Sequence, residues 1–165
     1  MLIPFRALLL ALALGAPMTA AAQQQAEVAF GGLKQDTALP VEVQADKLTV
    51  SQTDGMAIFS GNVLVGQGDM RLAAAEVRVE YAADGKAIAK LHATGGVTLA
   101  NKTDAAEAKE AVYTIATGTV VMTGDVLLTQ GKSAISGQKL VMDLKAGTGV
   151  MEGRVSTVFM PEGKK

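Results

Sequence analysis

The chain has 165 residues, no cysteine, no tryptophan, a single histidine and a formal net charge of -1 at pH 7. A chain without cysteine has no disulfide staples and no thiolate metal site, so packing and backbone pairing alone must hold it. Interspersed charges near neutrality leave no basic face for a nucleic acid.

The first residues, "MLIPFRALLLALALGAPMTAAAQQQ", place one positive side chain, Arg6, before an apolar run from Ala7 to Ala16 and a small-residue stretch. That is the layout of a secretory signal peptide, with Ala20-Ala21-Ala22 offering a cleavage site before Gln23. The run is well short of the roughly 20 residues a spanning helix needs. An uncleaved N-terminal anchor is the alternative. The sequence therefore predicts a signal peptide over 1–22, a flexible lead-in over 23–38, one folded domain over 39–161 and a disordered tail over 162–165.

Within the domain, a Gly-x-Val phrase recurs in "FSGNVLVGQG", "ATGGVTLANK", "MTGDVLLTQG" and "MEGRVSTVFM". Its valines, Val63, Val97, Val126 and Val155, are separated by steps of 34, 29 and 29 residues. A second landmark, in "ADKLTV", "AAEVRV", "AKEAVY" and "GQKLVM", falls at Leu48, Val77, Ala111 and Leu140, with steps of 29, 34 and 29. Each unit thus holds two phrases, with one five-residue insertion, and a period of this size indicates stacked units that cannot bury their apolar faces alone.

Apolar positions inside each phrase alternate with period two: Leu48 and Val50; Phe59, Val63 and Val65; Val77, Val79 and Tyr81; Val97 and Leu99; Ala111, Tyr113 and Ile115; Met122, Val126 and Leu128; Leu140, Met142 and Leu144; Met151 and Val155. Alternation of this kind means strands with one buried face. Turn signals at 53–55, 83–85, 116–118 and 145–149 separate them. "AAEAKEAV", Ala105 to Val112, has helical propensity, but its place in the repeat makes it a strand.

Gly61, Gly95, Gly124 and Gly153 would align at one level of the stack, where glycine in a strand marks a bulge, a bend or a close approach. They are expected to turn each strand around a corner. Lys47, Glu76, Glu110 and Lys139, each just before a first-strand landmark, are expected to face water. Stacking would set Lys47 beside Glu76 and Glu110 beside Lys139, or leave all four merely solvated.

Catalytic motifs are weak. "GDVLLTQGKS" has six residues between its glycines where a phosphate loop needs four, and Gly66-Gln67-Gly68 is a lone GxG that reads as turn chemistry. His92 has no second His or Cys to share a metal. Asp104, Glu107 and Glu110 could mimic a glycosidase, but sit in "NKTDAAEAKE", which reads as the solvated insertion. No catalytic residue, metal or cofactor is expected.

The stretch "LPVEVQADKLTVSQTDGMAIFSGNVLVGQGDMRLAAAEVRVEY", Leu39 to Tyr81, resembles the opening of the LptA/OstA family of periplasmic lipopolysaccharide transport proteins. "MTGDVLLTQGKSAISGQKLVMDL" resembles a later repeat of that family, and the likeness extends from Leu39 to about Pro161. The resemblance implies an all-β, twisted antiparallel β-jelly roll of about four two-strand repeats, open at both ends. It further implies an apolar interior for the acyl chains of lipid A and a periplasmic location. By position it places Val41, Val43, Tyr113 and Ile115, and on the same face Phe59 and Leu99, against the lipid. End-strand docking would use Val41, Val43, Leu48 and Val50 toward an LptC-like inner-membrane protein. Val155 and Val158 would face an LptD-like outer-membrane protein or a second copy of the chain. The residues themselves leave open a structural or adhesive β-repeat protein with a closed core and, more distantly, a carbohydrate-active β-solenoid.

Overall fold

The computed structural model describes residues 26–29 and 34–160. The leader over 1–22, its cleavage site, and the tail over 162–165 lie outside the described residues. The described chain forms β1 (Ala26–Ala29), β2 (Glu42–Gln44), β3 (Lys47–Ser51), β4 (Met56–Gln67), β5 (Met70–Tyr81), β6 (Ile88–Ala100), β7 (Asp104–Thr114), β8 (Thr119–Gln130), β9 (Ser133–Asp143), β10 (Thr148–Glu152) and β11 (Ser156–Val158). All belong to one unclosed, twisted antiparallel sheet, ordered β1-β10-β9-β8-β7-β6-β5-β4-β2, with β3 also on β4 and β11 also on β9. Ala105 to Val112 lies within β7 as a strand, with Ala106 and Ala111, on either side of the bend, both buried in the core.

One sheet yields a two-sided core because every long strand bends at the same level. Val63, Val97 and Val126 each follow a register shift of the ladder, and each shift falls at the glycine phrase of β4, β6 or β8. Both residues of that phrase have positive φ: Gly61 and Asn62, Gly95 and Gly96, Gly124 and Asp125, Gly153 and Arg154. One strand thereby carries one residue more than its partner, a β-bulge that bends and twists the ladder. Gly95 shows why the first position is glycine: a Cβ there would stand 2.6 Å from the Ala75 Cβ. Asp46, Lys109 and Gln138 occupy the matching place over Gly61, Gly124 and Gly153.

The bend divides the sheet into two layers. In the first are β3, the β4 residues 56–60, the β5 residues 76–80 and their counterparts up to β10; in the second are β2, the β4 residues 63–67, the β5 residues 70–74 and their counterparts up to β11. The inward residues of both fill a common core, including Val77, Leu91, Tyr113, Met122 and Met142 from the first and Val65, Leu72, Leu99 and Leu128 from the second. Each such Val, Leu or Met removed from water contributes about 1.5–3 kcal/mol.

Two expectations need correction. Lys47 and Glu76 are not neighbours, because the returning strand lies between them: the row reads Lys47, Ser60, Glu76, Thr94, Glu110, Thr123, Lys139, Glu152. Lys139 instead meets Glu152 at 3.5 Å. The five-residue insertion is not "NKTDAAEAKE": the turns at 67–70 and 130–133 and the region 100–105 hold the same register relative to their cores, with Val65 opposite Leu72, Leu99 opposite Ala106 and Leu128 opposite Ile135. The extra residues lengthen the hairpin between β5 and β6, whose tip spans 82–87.

Part of the expected flexible lead-in is built into the sheet. Ala26–Ala29 pair with β10, Ala26 opposite Met151 and Ala29 opposite Thr148. This segment could not be foreseen, since its partner lies at the other end of the sequence.

Candidate lipid-binding interior

The apolar inner face runs from β3 to β10, and what covers it changes along the way. In the middle it is sealed: Leu99 is wholly buried and Tyr113 is 1% exposed. Val41, Val43, Phe59 and Ile115 are half-buried and pack against the same core. At the β3 end the face emerges, with Leu48 53% and Val50 61% exposed, because no further strand follows β3 in its layer. A recess of 200 Å³ lies at that end, bounded in part by Val50, Met56 and Tyr81. At the other end Val155 is half-buried, and Val158, Phe159 and Met160 are exposed along and beyond β11.

The six positions implied as lipid contacts therefore fall into two groups. Leu99 and Tyr113 sit inside, in different layers, while Val41, Val43, Phe59 and Ile115 form part of the rim. Of the positions implied for docking, Val43 is on β2, Leu48 and Val50 are on β3 and Val158 is on β11, all end strands, while Val41 and Val155 immediately precede β2 and β11.

Tyr113 makes a polar link across the interior: its hydroxyl donates to Gln67 Oε1 at 2.7 Å. Gln67, at the end of β4, continues the inward series Val63 and Val65, and is 1% exposed. Its Nε2 donates to the carbonyl oxygens of Thr37, at 3.1 Å, and Leu39, at 2.8 Å. Gln35 Nε2 in turn donates to the Gln67 backbone oxygen at 2.7 Å. Both amide hydrogens of Gln67 and its amide oxygen thus have partners, and burial pushes the Tyr113 phenol up to about 12, against a smaller opposing effect of the Gln67 hydrogen bond. Gln67 was hidden in the sequence by its glycine neighbours, although the inward parity of β4 singles it out as a polar side chain in an apolar column.

Small residues beside the bend were also missed. Ala45, Ala74, Ala108 and Gly137 occupy one recurring place, next to the residue that overlies each corner glycine. At Gly137 a Cβ would come within 2.7 Å of Met151 Sδ, so the narrow end of the wedge between layers admits little side-chain volume.

The acidic and imidazole candidates form no catalytic array. Asp104 is buried at the start of β7, Glu107 is exposed, and Glu110 lies 3.8 Å from His92 Nε2 on the outer surface. Lys109 and Asp125 pair at 2.7 Å beside the bend, and the Lys109 hydrogen bond, seconded by Gln138, holds the Asp125 carboxyl below its usual range.

Residues 42–148 match the family model described as LptA/(LptD N-terminal domain) LPS transport protein. An uncharacterized protein of Rhizobium meliloti (strain 1021) is 27% identical over 92% of this chain and 89% of its own length. The crystal structure of LptH, the LptA homologous periplasmic component of the lipopolysaccharide transport device of Pseudomonas aeruginosa, superposes with a TM-score of 0.69. At 21% identity it covers 77% of this chain and 99% of that one, and shares its fold.

Proposed function

The chain belongs to the LptA/LptD N-terminal domain family of lipopolysaccharide transport proteins, and on that premise we propose that it is a periplasmic carrier that shields lipid A acyl chains between its two layers on the way from inner to outer membrane. The observation that supports this reading is the apolar inner face that runs the length of the sheet and comes out uncovered beyond β3. Hydrocarbon moved through water needs such a surface at every step, at about 0.8 kcal/mol per shielded methylene. Val41, Val43, Phe59 and Ile115 meet the guest first in this scheme, and Leu99 and Tyr113 only once the layers part. Met70, Met122, Met142 and Met151, all buried in the core, supply adaptable walls for an irregular guest. The role is that of a carrier and needs no catalytic group.

End strands give the same scheme its partners. Backbone groups on the outer sides of β2 and β3 are open to an added strand, as are those of β11, so an LptC-like protein at the first end and an LptD-like protein or another copy at the second would extend the sheet.

A closed-core structural repeat protein is the second reading, favoured by the burial of Leu99 and Tyr113. Mass spectrometry of lipid retained by the purified mature protein separates the two. The carrier retains lipopolysaccharide, and a photo-crosslinking residue at Val43 or Tyr113 attaches to it under ultraviolet light; the closed protein does neither.

A further inference from the structure

Residues 34–40 cross the opening between the two layers. They begin beside the first layer, where the Gln35 amide donates to the Leu144 oxygen at 2.8 Å in the turn between β9 and β10. Thr37 then lies against the turn between β7 and β8, its Cγ2 3.1 Å from where a Cβ of Gly118 would be. Thr37 and Leu39 offer their carbonyls to Gln67 of the second layer, and the chain enters that layer as β2. The segment is a diagonal strap from the free tips of one layer to the free tip of the other.

We propose that this strap is the gate of the interior, which leaves its seat on Gln67 and Leu144 to admit an acyl chain; the inference rests on the carrier reading above. The interior has to open somewhere, because its middle is filled by its own side chains. The bend cannot open without breaking the ladder of every long strand, whereas the strap is held by the four hydrogen bonds named for Gln35, Thr37 and Leu39. It runs between two short strands, β1 of four residues and β2 of three, against 11 to 13 residues in β4 to β9. Lys34, Asp36, Ala38, Leu39 and Pro40 are already exposed, so lifting it uncovers little new surface there. The Gln67 amide grips main-chain carbonyls alone, a contact that water replaces on release, so opening leaves no stranded polar group on the strap.

The natural chain has no cysteine, so a Thr37→Cys, Gly118→Cys pair gives a single disulfide that pins the strap. The test uses the mature protein with a photo-crosslinking residue at Ile115 and purified lipopolysaccharide as probe. The expected result is a tenfold or greater fall in crosslinking on oxidation, restored by reductant, with no response to reductant in the protein without the pair. Equal crosslinking in oxidised and reduced forms overturns the gate and leaves the carrier standing; no crosslinking in any form, unpinned protein included, overturns both. Hydrogen exchange in the unsubstituted protein gives a second reading that needs no disulfide. The Gln35 amide is expected to exchange at least tenfold faster when lipopolysaccharide is added, and unchanged or slower exchange in a lipid-bound sample overturns the gate.

Discussion

The Tyr113 hydroxyl and the Gln67 side-chain oxygen, 46 positions apart in the chain and in opposite layers, meet at 2.7 Å inside the protein. The pair joins the two layers and, through the Gln67 amide, ties both to the strap. Neither residue is polar by accident: each satisfies the other in a place where an unmade hydrogen bond costs about 1–3 kcal/mol.

Alkaline pH should expose this pair. The Tyr113 phenol is raised to about 12 in the folded protein, from 10.0. Its contribution to stability is therefore complete below pH 10 and is lost as pH rises from there through about 12, because the unfolded chain gives up the proton first. Denaturant midpoints measured across that range should fall more steeply for the unsubstituted protein than for Tyr113→Phe. Parallel curves would place the phenol in water.

Gln67→Leu keeps the volume but strands the Tyr113 hydroxyl and the carbonyls of Thr37 and Leu39. A loss of about 1–3 kcal/mol is expected by urea unfolding, with faster hydrogen exchange at Gln35. A neutral result would mean that water replaces the amide there.

Gly95→Ala and Gly96→Ala separate backbone strain from collision. Both residues have φ beyond +80°, but only a Cβ at Gly95 meets Ala75, at 2.6 Å, while Gly96 faces open space. Strain of this kind costs about 1–3 kcal/mol, so both should destabilise and Gly95→Ala should do so more. Ala75→Gly in the Gly95→Ala background should recover the difference, measured as a double-mutant cycle.

Leu99→Ala should cost about 2–5 kcal/mol, as cavities in packed cores do, and Leu48→Ala far less, because Leu48 is half in water already. Val43→Asp, on the rim, is expected to weaken lipopolysaccharide retention while circular dichroism keeps its strand signal. Undiminished retention with an intact fold would remove Val43 from the lipid path.

Much of the ladder was legible because its rungs are local. The alternation at Val77 and Val79, or at Leu140 and Met142, follows from nearest-neighbour pleating and holds in the structure. The 29-residue step and the corner glycines likewise depend only on each unit repeating its own geometry. What escaped is what joins distant parts. Pairing of Ala26–Ala29 with β10 and the grip of Gln67 on Thr37 leave no periodic trace. The Lys47 and Glu76 neighbourhood failed for a different reason: two-strand units put a return strand between equivalent positions. Polarity points to "NKTDAAEAKE" as the insertion, whereas the spacing between Val77 and Val97 confines it to the hairpin after β5.

Because the bend recurs at one level with one geometry, the architecture has no preferred number of rungs. A duplicated 29-residue unit would add two strands, roughly 9.5 Å of height, without disturbing the corner above or below it. The diagonal strap is the part that does not scale: its seven residues fit one span, so lengthening the ladder would demand a longer tether. The N-terminal segment thus acts as the ruler of an otherwise open-ended design.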